Sequence, residues 1–69
     1  MSNIIDTIKA LGGKAVISGE YVEITLSSPI TYDEGGRIET NSTNQALVDF
    51  ITNQDWYEFT STTAARLDN

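Results

Sequence analysis

Residues Tyr21 to Leu26 alternate polar and apolar side chains without a break, with Val22, Ile24 and Leu26 in one set and Tyr21, Glu23 and Thr25 in the other. A period of two commits such a segment to a strand with one face buried and the other wet. The stretch before it, Lys14 to Ser18, is also strand-like, and Gly19-Glu20 between them fits a tight hairpin turn with glycine first. Ser27-Ser28-Pro29 then breaks the strand, because proline cannot donate to a ladder.

Elements on either side can cover the apolar face of this hairpin. Ile4, Ile5, Ile8 and Leu11 recur at helical spacing, with Ser2 or Asn3 to cap the start and Gly12-Gly13 to stop it. Asp6 near its amino end and Lys9 toward its carboxyl end suit the helix dipole. A helix this short persists through tertiary packing. Farther on, Ile30 to Asp33 and Arg37 to Thr40 read either as a second hairpin around Glu34-Gly35-Gly36 or as a mobile acidic loop. Ser42-Thr43-Asn44-Gln45 has the form of a capping box, and Leu47, Phe50 and Ile51 follow on a helical stripe with Asp49 opposite, to about Asn53. Gln54-Asp55 turns the chain, and Trp56 to Thr62, aromatic and rich in threonine, reads as a strand. Residues 63–69 lack apolar periodicity and are expected to fray. The expected fold is α+β, a single domain over 1–69. Two short helices pack on one antiparallel sheet of three to five strands in the order α-β-β-(β-β)-α-β.

With 69 residues and 39% hydrophobic side chains there is material for one small core. A domain of this size buries roughly 60% of its unfolded surface, so its stability is marginal or helped by self-association. The chain has no cysteine and no histidine. Disulfides, thiolate nucleophiles and thiolate metal sites are thereby excluded, and the usual general base is missing. Neighbouring acids such as Asp33 with Glu34, or Glu20 with Glu23, are better read as solvated charges than as an acid–base pair. Asp33, Glu34 and Glu39 around Gly35-Gly36 lack the EF-hand pattern, and neither glycine pair forms a phosphate-binding fingerprint. The chain is expected to be no enzyme and to need no cofactor or metal.

Charge narrows the partners. A net charge of −6 repels phosphate backbones and anionic membranes, and Lys9, Lys14, Arg37 and Arg66 form no basic stripe. No signal pattern and no apolar run of membrane length occurs, so the expectation is a cytoplasmic, soluble protein. Such a protein is drawn to basic surfaces, including those that other proteins use to grip nucleic acid. Two aromatic–acid clusters offer anchors for such a surface: Tyr32 beside Asp33 and Glu34, and Trp56 beside Glu58. On the final strand either Tyr57 and Phe59 or Trp56, Glu58 and Thr60 face inward, and Trp56 could equally close the end of the core. Carboxylates two apart on a strand lie about 6.8 Å from each other, near the phosphate spacing of DNA, but the acids here are too evenly spread to indicate strict mimicry.

In being short, acidic, cysteine-free and compact with an α/β pattern and no catalytic constellation, the chain resembles the anti-CRISPR proteins of phages and mobile elements. The resemblance spans the whole chain but includes no shared motif, so no residue role is carried over. It implies a stoichiometric inhibitor docking on a Cas subunit at a basic surface meant for target DNA. Tyr32, Asp33, Glu34, Trp56 and Glu58 are the expected partner-binding residues. The competing expectation is a generic acidic adaptor that binds another host protein or itself, since open sheet edges favour dimerisation.

Overall fold

The computed structural model describes residues 4–39 and 44–69. The elements run α1 (Ile4–Ala10), β1 (Lys14–Ser18), β2 (Tyr21–Thr25), β3 (Thr31–Tyr32), β4 (Ile38–Glu39), α2 (Gln45–Thr52), β5 (Tyr57–Phe59) and β6 (Ala64–Asp68). The class is α+β, as the patterning predicts. Ser2, Asn3, Thr40, Ser42 and Thr43 lie outside the described residues, and with them the expected cap of α1 and the serine of the capping box.

At the end of α1 the Gly13 N–H reaches back to the Ile8 carbonyl and the Gly12 N–H to the Lys9 carbonyl, both at 3.0 Å, with Gly12 at φ 93°. This paired reversal satisfies two terminal carbonyls and needs a residue free to enter the left-handed region. Gly13 serves a different need. A Cβ there would lie 2.8 Å from Leu47 Cδ2 and 3.0 Å from Ile8 Cγ2, so the backbone passes directly beneath both helices. β1 and β2 then pair from Lys14↔Thr25 to Ser18↔Tyr21, leaving Gly19-Glu20 as a two-residue turn of the kind expected.

The main sheet has the order β1-β2-β6-β5, and every neighbouring pair is antiparallel. The expectation for residues 63–69 is overturned here. They supply β6, an inner strand paired with β2 over its full length and with β5 on its other side. Ala65 and Leu67 point into the core at 2% and 1% exposure, while Ala64 and Arg66 are half-buried. Two ladders hold a segment whose own composition is a poor strand former. The strand expected over Trp56 to Thr62 is correspondingly shorter. Its threonine-rich end forms the loop into β6, where the Thr60 and Ser61 amides donate to the Ala64 carbonyl and Ser61 Oγ accepts from the Thr63 amide.

The second hairpin exists, but β3 and β4 form a separate two-stranded sheet rather than extending the first. Asp33 shapes its turn: Oδ1 accepts from the Gly35 amide at 2.9 Å and the Arg37 amide at 3.0 Å. The hairpin leaves the main sheet at Ile30, which is buried and whose N–H bonds the Thr62 carbonyl.

Both helices lie on one side of the main sheet. Ile8 of α1 and Leu47, Val48 and Ile51 of α2 pack with Val22, Ile24, Leu26, Ala65 and Leu67 into one cluster. α2 starts two residues later than a cap at Ser42 would place it, because Asn44 holds the N-cap position. The Asn44 side chain makes no cap bond to its own helix. It is 2% exposed and accepts from Ser27 Oγ at 2.6 Å while its amide donates to the Ser28 carbonyl and Ser28 Oγ. A buried amide thus fastens the start of α2 to the loop that follows β2, with its polar atoms satisfied.

Candidate functional site

Because the helices take one face, the other face of the main sheet is open. Residues directly opposite in a ladder share a face. Glu23, Arg66 and Glu58 therefore form one row across β2, β6 and β5, and Tyr21 with Asp68 forms the next. The same parity puts Tyr57 and Phe59 on the core side, opposite Leu67 and Ala65. Phe59 packs against the core and meets Tyr57 edge-on at 5.9 Å between ring centroids. Trp56 and Glu58 are the outward set.

On the open face four side chains, from β2, β5, β6 and the turn before β5, form a continuous stack. The Trp56 and Tyr21 rings lie 5.5 Å apart at 31°. The Arg66 guanidinium sits 4.6 Å from the Tyr21 ring centroid on its way to Glu58, to which Nε and Nη2 both donate at 2.6 Å. An exposed pair of this kind contributes about 0–1 kcal/mol, and a cation over an exposed ring about 0.5–1 kcal/mol. The stack thus serves less to stabilise the fold than to orient its members. Arg66 holds Tyr21, Tyr21 supports Trp56, and Glu58 is neutralised by Arg66 rather than free for a partner.

Trp56 remains 38% exposed. With Gln54, Asp55, Leu67 and Asp68 it lines a shallow cleft of about 190 Å³. A cleft lined by an aromatic ring and two acidic residues can take the alkyl stem and charged head of a lysine or arginine, the ring meeting the stem and the acids the head. A second cleft of about 280 Å³ lies beside Gly12, Lys14, Thr25, Leu26 and Ser27. Both are smaller than the ~300–1,000 Å³ usual for enclosed ligand sites.

The structure does not bring the five expected partner-binding residues together. Tyr32, Asp33 and Glu34 lie on the β3–β4 hairpin, which departs beside Thr62 in the loop before β6. Trp56 stacks on Tyr21, whose ladder partner is Asp68 at the other end of β6. The five residues of β6 lie between the two groups and alone span about 13 Å. Within the hairpin group the Asp33 carboxylate is engaged by its own turn, while Tyr32 and Glu34 are exposed.

Tyr21, Asp55, Arg66 and Asp68 belong to the site and were not among the expected residues. The outward parity of Tyr21 was already visible in its strand. Arg66 and Asp68 alternate with Ala65 and Leu67, a weak signal because alanine is a poor marker of a buried strand. Among the described residues no three acidic side chains are grouped so as to hold a metal ion, and no helix is long and apolar enough to cross a membrane. Compared with protein-family models, with curated proteins and with solved structures, the chain matches none of them.

Proposed function

We propose that this chain is a non-catalytic inhibitor that docks the Trp56 end of its open sheet face on a basic surface of a protein partner. The observation that carries the reading is the cleft that Trp56 lines together with Asp55 and Asp68. An exposed tryptophan flanked by carboxylates suits a hot spot facing a lysine- or arginine-rich surface. The net charge of −6 adds long-range attraction to such a surface, and Arg66, the nearest cation by ladder position, is engaged by Glu58. Basic surfaces of this kind are built for nucleic acid, so occupation by this chain would exclude the phosphate backbone. The resemblance to anti-CRISPR proteins makes a Cas effector subunit the first partner to examine, in the host cytoplasm.

The test is competition. Purified Cas effector complexes are titrated with the chain, and target-DNA binding is followed over a range of salt concentrations. Supporting results are loss of DNA binding at stoichiometric amounts, relief by high salt, and loss of inhibition in both Trp56→Ala and the double variant Asp55→Asn/Asp68→Asn. Inhibition that survives both sets of substitutions would place the docking surface elsewhere, and DNA binding untouched in every complex tried would reject the Cas partner. Binding lost with Trp56→Ala but insensitive to salt would favour an adaptor using an apolar patch.

A further inference from the structure

The main sheet ends at β1 on one side and at β5 on the other, and the two edges differ. β5 has three residues and carries Glu58. β1 has five, none acidic, with Lys14 its single charge. Val16 and Ile17, on opposite faces of β1, are 63% and 58% exposed. Natural edge strands are usually blunted by charge, proline or a bulge, and β1 has none of these at its centre.

The ladder shows which backbone groups this edge offers. The Leu26 N–H bonds the Thr63 carbonyl, and the Asn69 N–H bonds the Glu20 carbonyl. Even-numbered positions along β2 therefore direct their backbone groups toward β6, and Tyr21, Glu23 and Thr25 direct theirs toward β1. Their partners Ser18, Val16 and Lys14 point back into the sheet. Ala15 and Ile17 present N–H and C=O along the open edge.

We propose that β1 pairs antiparallel with β1 of a second copy of this chain about a two-fold axis through Val16. In that register Ala15 lies opposite Ile17 of the second copy and exchanges both backbone hydrogen bonds with it, once on each side of the axis. Val16 meets its own counterpart as a non-hydrogen-bonded pair, with Cα atoms about 4.5 Å apart. All five residues of the strand are paired, and the two main sheets become one. The charges agree with this register. Lys14 faces the uncharged Ser18 of the second copy, and because β1 carries no acidic residue no carboxylates meet across the new ladder. The Glu23 side chains of the two copies stay three strand spacings apart, about 14 Å, beyond the range in which they repel strongly at physiological salt. The dimer leaves the Trp56 end of each sheet free.

The chain has no cysteine, so one introduced thiol reports the register directly. Under mild oxidation Val16→Cys is expected to form a covalent dimer at least about tenfold faster than Ser18→Cys, whose counterpart across the axis is Lys14. Sedimentation velocity of the full unmodified chain should give a mass rising with concentration toward twice 7.6 kDa. Val16→Glu sets two carboxylates face to face on an exposed position and should weaken the dimer about tenfold or more, with circular dichroism unchanged. A chain that remains monomeric up to millimolar concentration overturns the proposal. So do equal cross-linking rates for the two cysteine variants, or a dimer indifferent to Val16→Glu.

Discussion

β1 and β6 are both five residues long and flank β2 on its two sides, yet composition and burial rank them in opposite order. β1 reads Lys-Ala-Val-Ile-Ser, with two adjacent β-branched residues that favour extended backbone. β6 reads Ala-Ala-Arg-Leu-Asp, a better helix than strand on local preference. Val16 and Ile17 nevertheless stand largely in water, while Ala65 and Leu67 are sealed. The difference is the number of neighbours. β6 has a ladder on each side and both helices over its inner face, whereas β1 has one ladder and an open edge. Strand propensity describes how well a residue fits a pleated surface, and it does not decide which surface is interior.

The severest way to test this contrast is to delete 64–69. If β6 is the inner strand, removal leaves β2 and β5 without their shared partner and abolishes the cooperative thermal transition. A frayed tail would leave the melt unchanged. Next in size, Leu67→Ala should cost about 2–5 kcal/mol in chemical denaturation. Val16→Ala at low protein concentration should change the same measurement by less than about 0.5 kcal/mol, because the side chain is largely exposed. Similar effects at the two sites would undo the comparison.

Gly13→Ala is expected to fall between them. Its Cβ would be driven against Leu47, Ile8 and the Thr25 carbonyl, so a loss of about 1–3 kcal/mol should appear as a lowered denaturation midpoint with an unchanged slope. A small effect is also expected for Glu58→Gln. Removing the exposed partner of Arg66 should cost less than about 1 kcal/mol, and the cost should shrink as salt is added. A loss several times larger, insensitive to salt, would mean that the Trp56–Tyr21–Arg66–Glu58 stack stabilises the fold rather than orienting its members.

Much of the fold was legible where the signal was local. The β1–β2 hairpin follows from strict alternation and a glycine-led turn, and the extent of α1 from its isoleucine stripe and glycine stop. The face of α2 is also readable, although its start is not, since the buried Asn44 serves the loop at Ser27-Ser28 instead of capping its own helix. The candidate site was half legible. Trp56 and its acidic surroundings stand out in the chain, but Tyr32, Asp33 and Glu34 share that chemistry at the other end of the sheet. Glu58 proved to be engaged by Arg66 and Asp33 by its own turn, which no spacing of residues could announce.

By itself the sequence determined the chemistry that is absent and the local shapes that are present. Lacking cysteine and histidine, it has no thiolate or imidazole, and with alternating Tyr21 to Leu26 it must bury one face of a strand. Those properties are set by side-chain chemistry and by the periods of helix and strand, which act over a few residues. The tertiary structure alone decided that β6 lies inside, that Trp56 meets Tyr21 across the sheet, and that β1 is left as an edge. Such pairings join residues far apart in the chain, and they are selected by the apolar surface that the assembled sheet and helices bury together.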